Sequence, residues 1–217
     1  MIIAIDGPAG AGKSTVAKLL AKSLGFLYID TGAMYRALTL KVLNNNVSVS
    51  DAKAIIDLAA VSEISLINRQ DGGLQVNLDG KDVSKQIREP RITKFVSDIA
   101  KIKEVRQIMV KLQRQLGEGG SVVLDGRDIG TVVFPDAQKK FYIDANFSER
   151  AKRRYKELVE GGQQITLGDI EGDLSNRDNI DSTRECGPLR KADDAIYIDT
   201  TNMSIEEVVQ EMLKHIR

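Results

Sequence analysis

Ile2-Ile3-Ala4-Ile5-Asp6-Gly7-Pro8-Ala9-Gly10-Ala11-Gly12-Lys13-Ser14-Thr15 is the stretch whose reading decides the fold. A short β-branched run meets a glycine-rich stretch, and from Lys13 the apolar residues Val16, Leu19, Leu20 and Leu24 recur at helical spacing up to Gly25. Strand, loop and helix in that order are the context that GxxxxGK[ST] requires, and residues 7–14 match the pattern in full. Glycines there let backbone N–H groups converge on phosphate oxygens, and the helix N-terminus adds partial positive charge. Lys13 reaches the terminal phosphates and the Ser14 hydroxyl can ligate Mg²⁺. Gly7, Pro8, Ala9, Gly10, Ala11, Gly12, Lys13, Ser14 and Thr15 are therefore expected to hold a nucleoside triphosphate. A glycine-rich turn beside a surface lysine is the alternative, which the joint match of sequence and context disfavours. A dinucleotide fingerprint fails, because Gly10-Ala11-Gly12 would need a glycine where Thr15 stands.

Outward from this loop, Phe26-Leu27-Tyr28-Ile29 forms a second apolar run ending at Asp30, and Met34, Leu38 and Val42 repeat at four-residue intervals after it. The alternation predicts a parallel sheet with crossover helices. Ser121 to Asp125, Phe141 to Asp144 and Ala195 to Asp199 are three more short apolar runs ending in aspartate, which makes five strands for an α/β core. The rhythm breaks in the middle, where residues 63–68 and 74–78 alternate around Gln70-Asp71-Gly72-Gly73, a hairpin signal. Pro90 suits the first position of a helix reaching about Ala100, and Val105 to Leu116 marks another that stops near Gly117. A helix from Asn146 carries Ala151, Tyr155 and Leu158 on one face and Arg150, Arg153 and Arg154 on another, up to Gly161-Gly162. The segment from there to Pro188 is polar and poor in large apolar residues, as a movable flap would be. Ile205 to Leu213 closes the chain as an amphipathic helix.

Composition narrows the chemistry. At 217 residues the chain is one domain or a closely joined pair, with 42% hydrophobic and 29% charged residues, near globular averages. Thirty-one Lys plus Arg balance thirty-one Asp plus Glu, so no basic excess exists to hold a nucleic acid backbone. Aromatics at 5% argue further against an RNA-binding module. The single cysteine, Cys186, cannot form an internal disulfide, which suits a reducing compartment such as the cytoplasm. His215 is the only histidine, so Ser-His-Asp and Cys-His catalysis are excluded in practice. No membrane span and no signal peptide are expected.

Asp125 is placed at a strand end to hold Mg²⁺ together with Ser14, an ordinary strand-end carboxylate being the alternative, and Asp30 has a similar claim. A guanine-reading Asn-Lys-x-Asp is absent, whereas Arg36, Arg106, Arg127, Arg177 and Arg184 stand on segments near strand ends. Arginine forks grip phosphates bidentately and neutralise charge in phosphoryl transfer. Two phosphate groups are therefore expected to be served. An acceptor that is itself a phosphate needs no general base, which accounts for the missing histidine. For each arginine a solvated charge or a helix salt bridge is the alternative, above all in the i,i+4 and i,i+3 spacing of Arg177, Asp181 and Arg184.

Ile5 to Ser14, Asp30-Thr31-Gly32-Ala33-Met34-Tyr35-Arg36, Val105-Arg106, Asp125-Gly126-Arg127-Asp128 through Pro135, Glu149 to Arg154, and Pro188 to Asp194 together resemble the cytidylate kinase family of nucleoside monophosphate kinases. The resemblance implies a three-layer P-loop kinase: a five-stranded parallel sheet, an antiparallel acceptor-binding insert and a mobile lid. It implies one domain over 1–217, with core about 1–36, 102–149 and 185–217, insert about 37–101 and lid about 150–184. ATP would be the donor, Mg²⁺ the cofactor, and CMP or dCMP the acceptor, in a cytoplasmic monomer that binds neither nucleic acid nor membrane. Carried over by position, Arg36, Arg127 and Arg184 take the acceptor phosphate and Arg177 and Asp181 the ribose. Ser97, Arg106 and Asp128 read cytosine, and Asp30 and Thr31 belong to the acceptor site. Lys13, Arg127, Arg150, Arg154 and Arg184 carry the transfer, Arg150 and Arg154 from the lid. Thr31 replaces a serine of some members, keeping the hydroxyl, and residues 161–176 show no firm correspondence. The remaining alternatives are a P-loop kinase for another nucleotide or small-molecule acceptor, and a slowly hydrolysing switch ATPase.

Overall fold

The computed structural model describes residues 1–69 and 73–216. Along the chain run β1 (Ile2–Asp6), α1 (Lys13–Leu24), β2 (Leu27–Asp30), α2 (Thr31–Asn44), α3 (Ala52–Ala60), β3 (Ile64–Asn68), β4 (Leu74–Leu78) and β5 (Lys81–Asp82). Next come α4 (Pro90–Ala100), α5 (Lys103–Gly117), β6 (Val122–Gly126), β7 (Lys139–Asp144), α6 (Phe147–Glu160), α7 (Leu167–Thr183), β8 (Ile196–Asp199) and α8 (Ile205–Ile216). The main sheet has five parallel strands, as the apolar runs predict, and their order is β2-β6-β1-β7-β8. β3, β4 and β5 form a separate antiparallel sheet. The turn signal ahead of Gly73 falls on residues 70–72, outside the described residues.

Two apolar layers clamp the main sheet. On one face Met34, Leu38 and Leu40 of α2 meet Ile92 and Ile99 of α4, Met109 of α5 and Leu124 of β6. On the other, Val16 and Leu20 of α1 and Val208 and Met212 of α8 cover Ile3, Ile5, Phe141 and Ile143. Burying each such Leu, Ile or Phe side chain stabilises by about 1.5–3 kcal/mol. The small sheet is not a free appendage: the Asn68 carboxamide accepts from Tyr28 N–H at 3.1 Å and donates to Tyr28 C=O at 3.0 Å, pairing with the edge of β2 as a peptide would.

Two features exceed the sequence reading. α3 fills residues 52–60, for which no element is expected, and the polar segment after Gly162 is mostly the helix α7. α7 begins in a capping box between Thr166 and Asp169 and buries only Ile170, Leu174 and Asp181. It packs against α6 and also touches α4.

Candidate active site

The strands β1, β6 and β2 end side by side, so the loop after β1 and the carboxylates of Asp125 and Asp30 share one sheet edge. At a point where neighbouring connections diverge, such an edge is where open α/β sheets bind ligands. Glycine is required here. Gly7 has φ 148° and any Cβ on it would strike the Ile143 carbonyl of β7, while Gly12, at φ 86°, caps α1 in the left-handed region. These positive-φ glycines let residues 7–12 curl ahead of α1.

Lys13 lies within that curl, 5% exposed, donating to the Pro8 carbonyl at 2.6 Å. Burial, with Arg127 nearby, holds its ammonium well below the usual lysine range, opposed by Asp125 and Asp6. Ser14 Oγ donates to Asp125 Oδ2 at 2.8 Å, and the Tyr28 hydroxyl donates to Asp125 Oδ1 at 2.8 Å. Burial, then Asp30 alongside, pushes the Asp125 carboxyl up to about 6. Asp30 itself is committed: Oδ1 caps α2 by accepting from Ala33 N–H at 2.8 Å, and Oδ2 pairs with Arg88 at 3.3 Å. The Thr31 hydroxyl donates to the Asp125 carbonyl at 2.7 Å, bracing the end of β6.

Facing the loop is a nest of guanidinium groups. Arg127 donates to Asp181 Oδ2 at 3.0 Å, Arg184 donates to Asp181 Oδ1 at 3.1 Å, and Arg177 lies 3.9 Å from Oδ2. Burial would raise the Asp181 carboxyl, yet the three arginines hold it below the ordinary value. Cations still outnumber this anion. Arg177 is lowered to about 10 by burial and Arg127, and Arg36 to about 9 by burial, then Arg177, Arg88 and Arg154. Arg177 Nε and Arg184 Nη2 are buried donors with no hydrogen-bond partner among the described residues. Both lie only at ion-pair distance from a carboxylate, Arg177 Nε 3.9 Å from Asp181 and Arg184 Nη2 4.0 Å from Asp128, so buried donors without a hydrogen bond stand in a cluster of mutually repelling cations, as an anion-binding site requires.

Deeper in, Arg106 and Asp128 form a buried ion pair, both about 5% exposed, with Arg106 also donating to the Ala100 carbonyl at 3.1 Å and stacked 5.5 Å from the Tyr35 ring. Ser97 of α4 is buried and lines a cleft with Thr93, Arg154 and Arg177. Arg36 is fixed toward the same helix by a 2.8 Å bond to Thr93 Oγ1.

Arg150 and Arg154 part company. Arg150 is buried, donating to the Ala9 carbonyl at 2.9 Å, the Ala145 carbonyl at 3.1 Å and Asp178 at 2.6 Å. Arg154 pairs with Glu157 at 2.7 Å and lines the cleft. Thr15 is exposed on the first turn of α1. The expected residues thus converge on one edge. Arg88, Tyr28 and Asp178 join them without having been singled out, and Arg153, noted only as part of the arginine face of its helix, makes a 2.6 Å bond to the Thr200 carbonyl beside the phosphate loop. Arg88 lies 58 positions from Asp30 in the chain, so no local pattern pairs them.

A phosphate cradle at the switch point of a parallel sheet, opposed by a second cationic nest, defines a P-loop phosphotransferase. Solved structures agree on the fold. A shikimate kinase from Bacteroides thetaiotaomicron superposes with a TM-score of 0.50 at 12% identity, covering 100% of this chain and 98% of that one. A gluconokinase from Sinorhizobium meliloti 1021 gives 0.51 at 13%, covering 98% and 89%. The family model described as cytidylate kinase matches residues 3–217, and the chain belongs to that family. A cytidylate kinase from Caldanaerobacter subterraneus subsp. tengcongensis is 54% identical over 215 residues, 99% of this chain and 94% of the relative. One from Clostridioides difficile (strain 630) is 50% identical over 216 residues, 100% of this chain and 98% of the relative.

Proposed function

We propose that this protein transfers the γ-phosphoryl group of MgATP to CMP or dCMP, giving CDP or dCDP plus ADP. An oxygen of the acceptor phosphate attacks the γ-phosphorus, and the bond from that phosphorus to the β,γ-bridging oxygen breaks as ADP leaves. No side chain needs to remove a proton, since the attacking oxygen is already anionic near neutral pH. Catalysis then rests on position and charge. Gly7 to Thr15 hold the triphosphate, with Lys13 on its terminal phosphates. Arg36, Arg127 and Arg184 hold the acceptor phosphate, and Arg177 and Asp181 the ribose. Arg150 and Arg154 complete the charge around the transferring group.

The observation that carries this reading is the pair of buried donors on Arg177 and Arg184 that make no hydrogen bond among the described residues, within a cation cluster facing the loop of Lys13. Cytosine suits the Arg106–Asp128 pair, because its N4 donates to a carboxylate while N3 and O2 accept from a guanidinium. Uracil would aim an acceptor at Asp128, and leaving buried groups opposed costs about 1–3 kcal/mol.

Mg²⁺ fits the oxygen donors Ser14 and Asp125, with Asp30 alongside. When bound it neutralises phosphate charge. The insert of residues 37–101 closes over the acceptor and residues 150–184 act as the lid in this reading. No helix among the described residues is long and apolar enough to cross a membrane, and balanced charge favours small-molecule partners over nucleic acid.

The test is ADP release with CMP, dCMP, UMP, AMP and dTMP as acceptors. Cytidine nucleotides should be preferred. Equal or faster turnover with UMP contradicts the base assignment, and acceptor-independent ATP turnover contradicts the transfer itself.

A further inference from the structure

Asp6 has no part in the assignments above, yet its carboxylate is 4% exposed at the end of β1 and fully engaged. Oδ1 accepts from Ile129 N–H at 2.8 Å and Oδ2 from Gly130 N–H at 2.7 Å. These are the first two amides of a π-helical turn, Ile129–Val133. A helical turn leaves its leading N–H groups without partners inside the turn. An aspartate at the N-cap ordinarily satisfies them with its own side chain. Asp128 holds that N-cap position, at φ −145° and ψ 27°, and makes no side-chain capping bond. Its carboxylate faces Arg106 instead, with Arg184 4.0 Å away. The cap comes from a strand 123 residues away, and Asp128 is released from it.

We propose that Asp6 is a positioning residue for acceptor choice: by capping the 129–133 turn from β1, it frees the Asp128 carboxylate to face Arg106 and read the base. This rests on the cytidine reading above. Without Asp6 the two buried amides lack an acceptor, and Asp128 is the carboxylate whose chain position suits it to turn back and cap them. Arg106 then loses its partner, and the base site loses the group that tells an N4 donor from an O4 acceptor. A purely structural defect would lower CMP and UMP turnover together. Loss of positioning lowers the first more than the second.

The experiment compares wild type, Asp6→Ala and Asp6→Asn with CMP and UMP at saturating ATP, and repeats Asp6→Ala on an Asp128→Asn background. The CMP-over-UMP ratio of kcat/KM should fall about tenfold or more in Asp6→Ala. It should fall less in Asp6→Asn, whose carbonyl oxygen still accepts from one amide, and Asp6→Asn decides the matter if the alanine variant does not fold. KM for ATP should move less than about threefold, and on the Asp128→Asn background the ratio should change less than about twofold, because the group acted through is already altered. A discriminating wild type whose folded Asp6 variant or variants keep the ratio overturns this inference alone. A wild type that does not discriminate overturns the cytidine reading, and this inference with it.

Discussion

Ser14 Oγ lies 2.8 Å from Asp125 Oδ2, a bond that joins the first turn of α1 to the end of β6 across 111 residues of chain. It places a hydroxyl and a carboxylate together at the mouth of the phosphate loop. Asp125→Asn should keep the shape of the side chain and remove its charge. Turnover should fall by about 10² or more, with the Mg²⁺ concentration for half-activation shifted upward. An unchanged Mg²⁺ dependence in a folded variant assigns the metal to other groups.

The protonation of Asp125 gives this a pH signature. Burial and Asp30 raise its carboxyl to about 6, and a metal must displace the bound proton. Mg²⁺ activation should therefore strengthen as pH rises through about 6 and then level off, and Asp125→Asn should flatten this component. For the free protein the folded value is above the unfolded one, about 3.9, so the stabilising contribution is complete below about 4 and is lost as pH rises toward 6. Thermal melts of wild type and Asp125→Asn between pH 4 and 7 should converge at the acid end; parallel curves count against it.

Lys13→Ala should cost orders of magnitude in turnover while unfolding stays cooperative, because in the proposed role the ammonium serves the transferring phosphate rather than the core. Near-wild-type activity would be incompatible with a phosphate cradle.

Asp128→Asn should erode the preference for CMP over UMP by roughly tenfold and leave KM for ATP nearly unaltered. Arg106→Met removes one partner of a buried ion pair and should in addition lower stability by about 3–5 kcal/mol, read from urea unfolding. Intact acceptor selectivity in both would move base reading elsewhere.

Thr31→Val tests a bracing role. The hydroxyl is bonded to the Asp125 carbonyl, so its loss should cost about 1–3 kcal/mol of stability. A large rise in KM for CMP without that loss would show that the hydroxyl serves the acceptor instead.

The main sheet was legible because its signal is local. Each central strand is a short apolar run ending in aspartate, and the glycine-rich motif dictates the loop and helix after β1. α3 and α7 escaped for different reasons. Asp51, Ile55 and Ala59 do carry a cap and a four-residue repeat, but over nine residues only. α7 shows one buried apolar pair, Ile170 and Leu174, under a polar surface, and the Thr166–Asp169 capping box was its readable sign. The acceptor residues were placed by resemblance, since no spacing rule joins Arg36 to Thr93 or Arg127 to Asp181. Arg88 and Asp6 act through contacts 58 and 123 or more residues distant, where sequence pattern has no reach.

The bonds of Arg150 leave one more mark on the molecule. A single planar group fastens the peptide of Ala9, the end of β7 at Ala145 and the flank of α7 at Asp178. Swinging α7 outward must snap the Asp178 link or tug on the Ala9 peptide. If residues 150–184 move as the proposed lid, opening is geared to the curvature of the loop after β1, through a rivet rather than a free hinge.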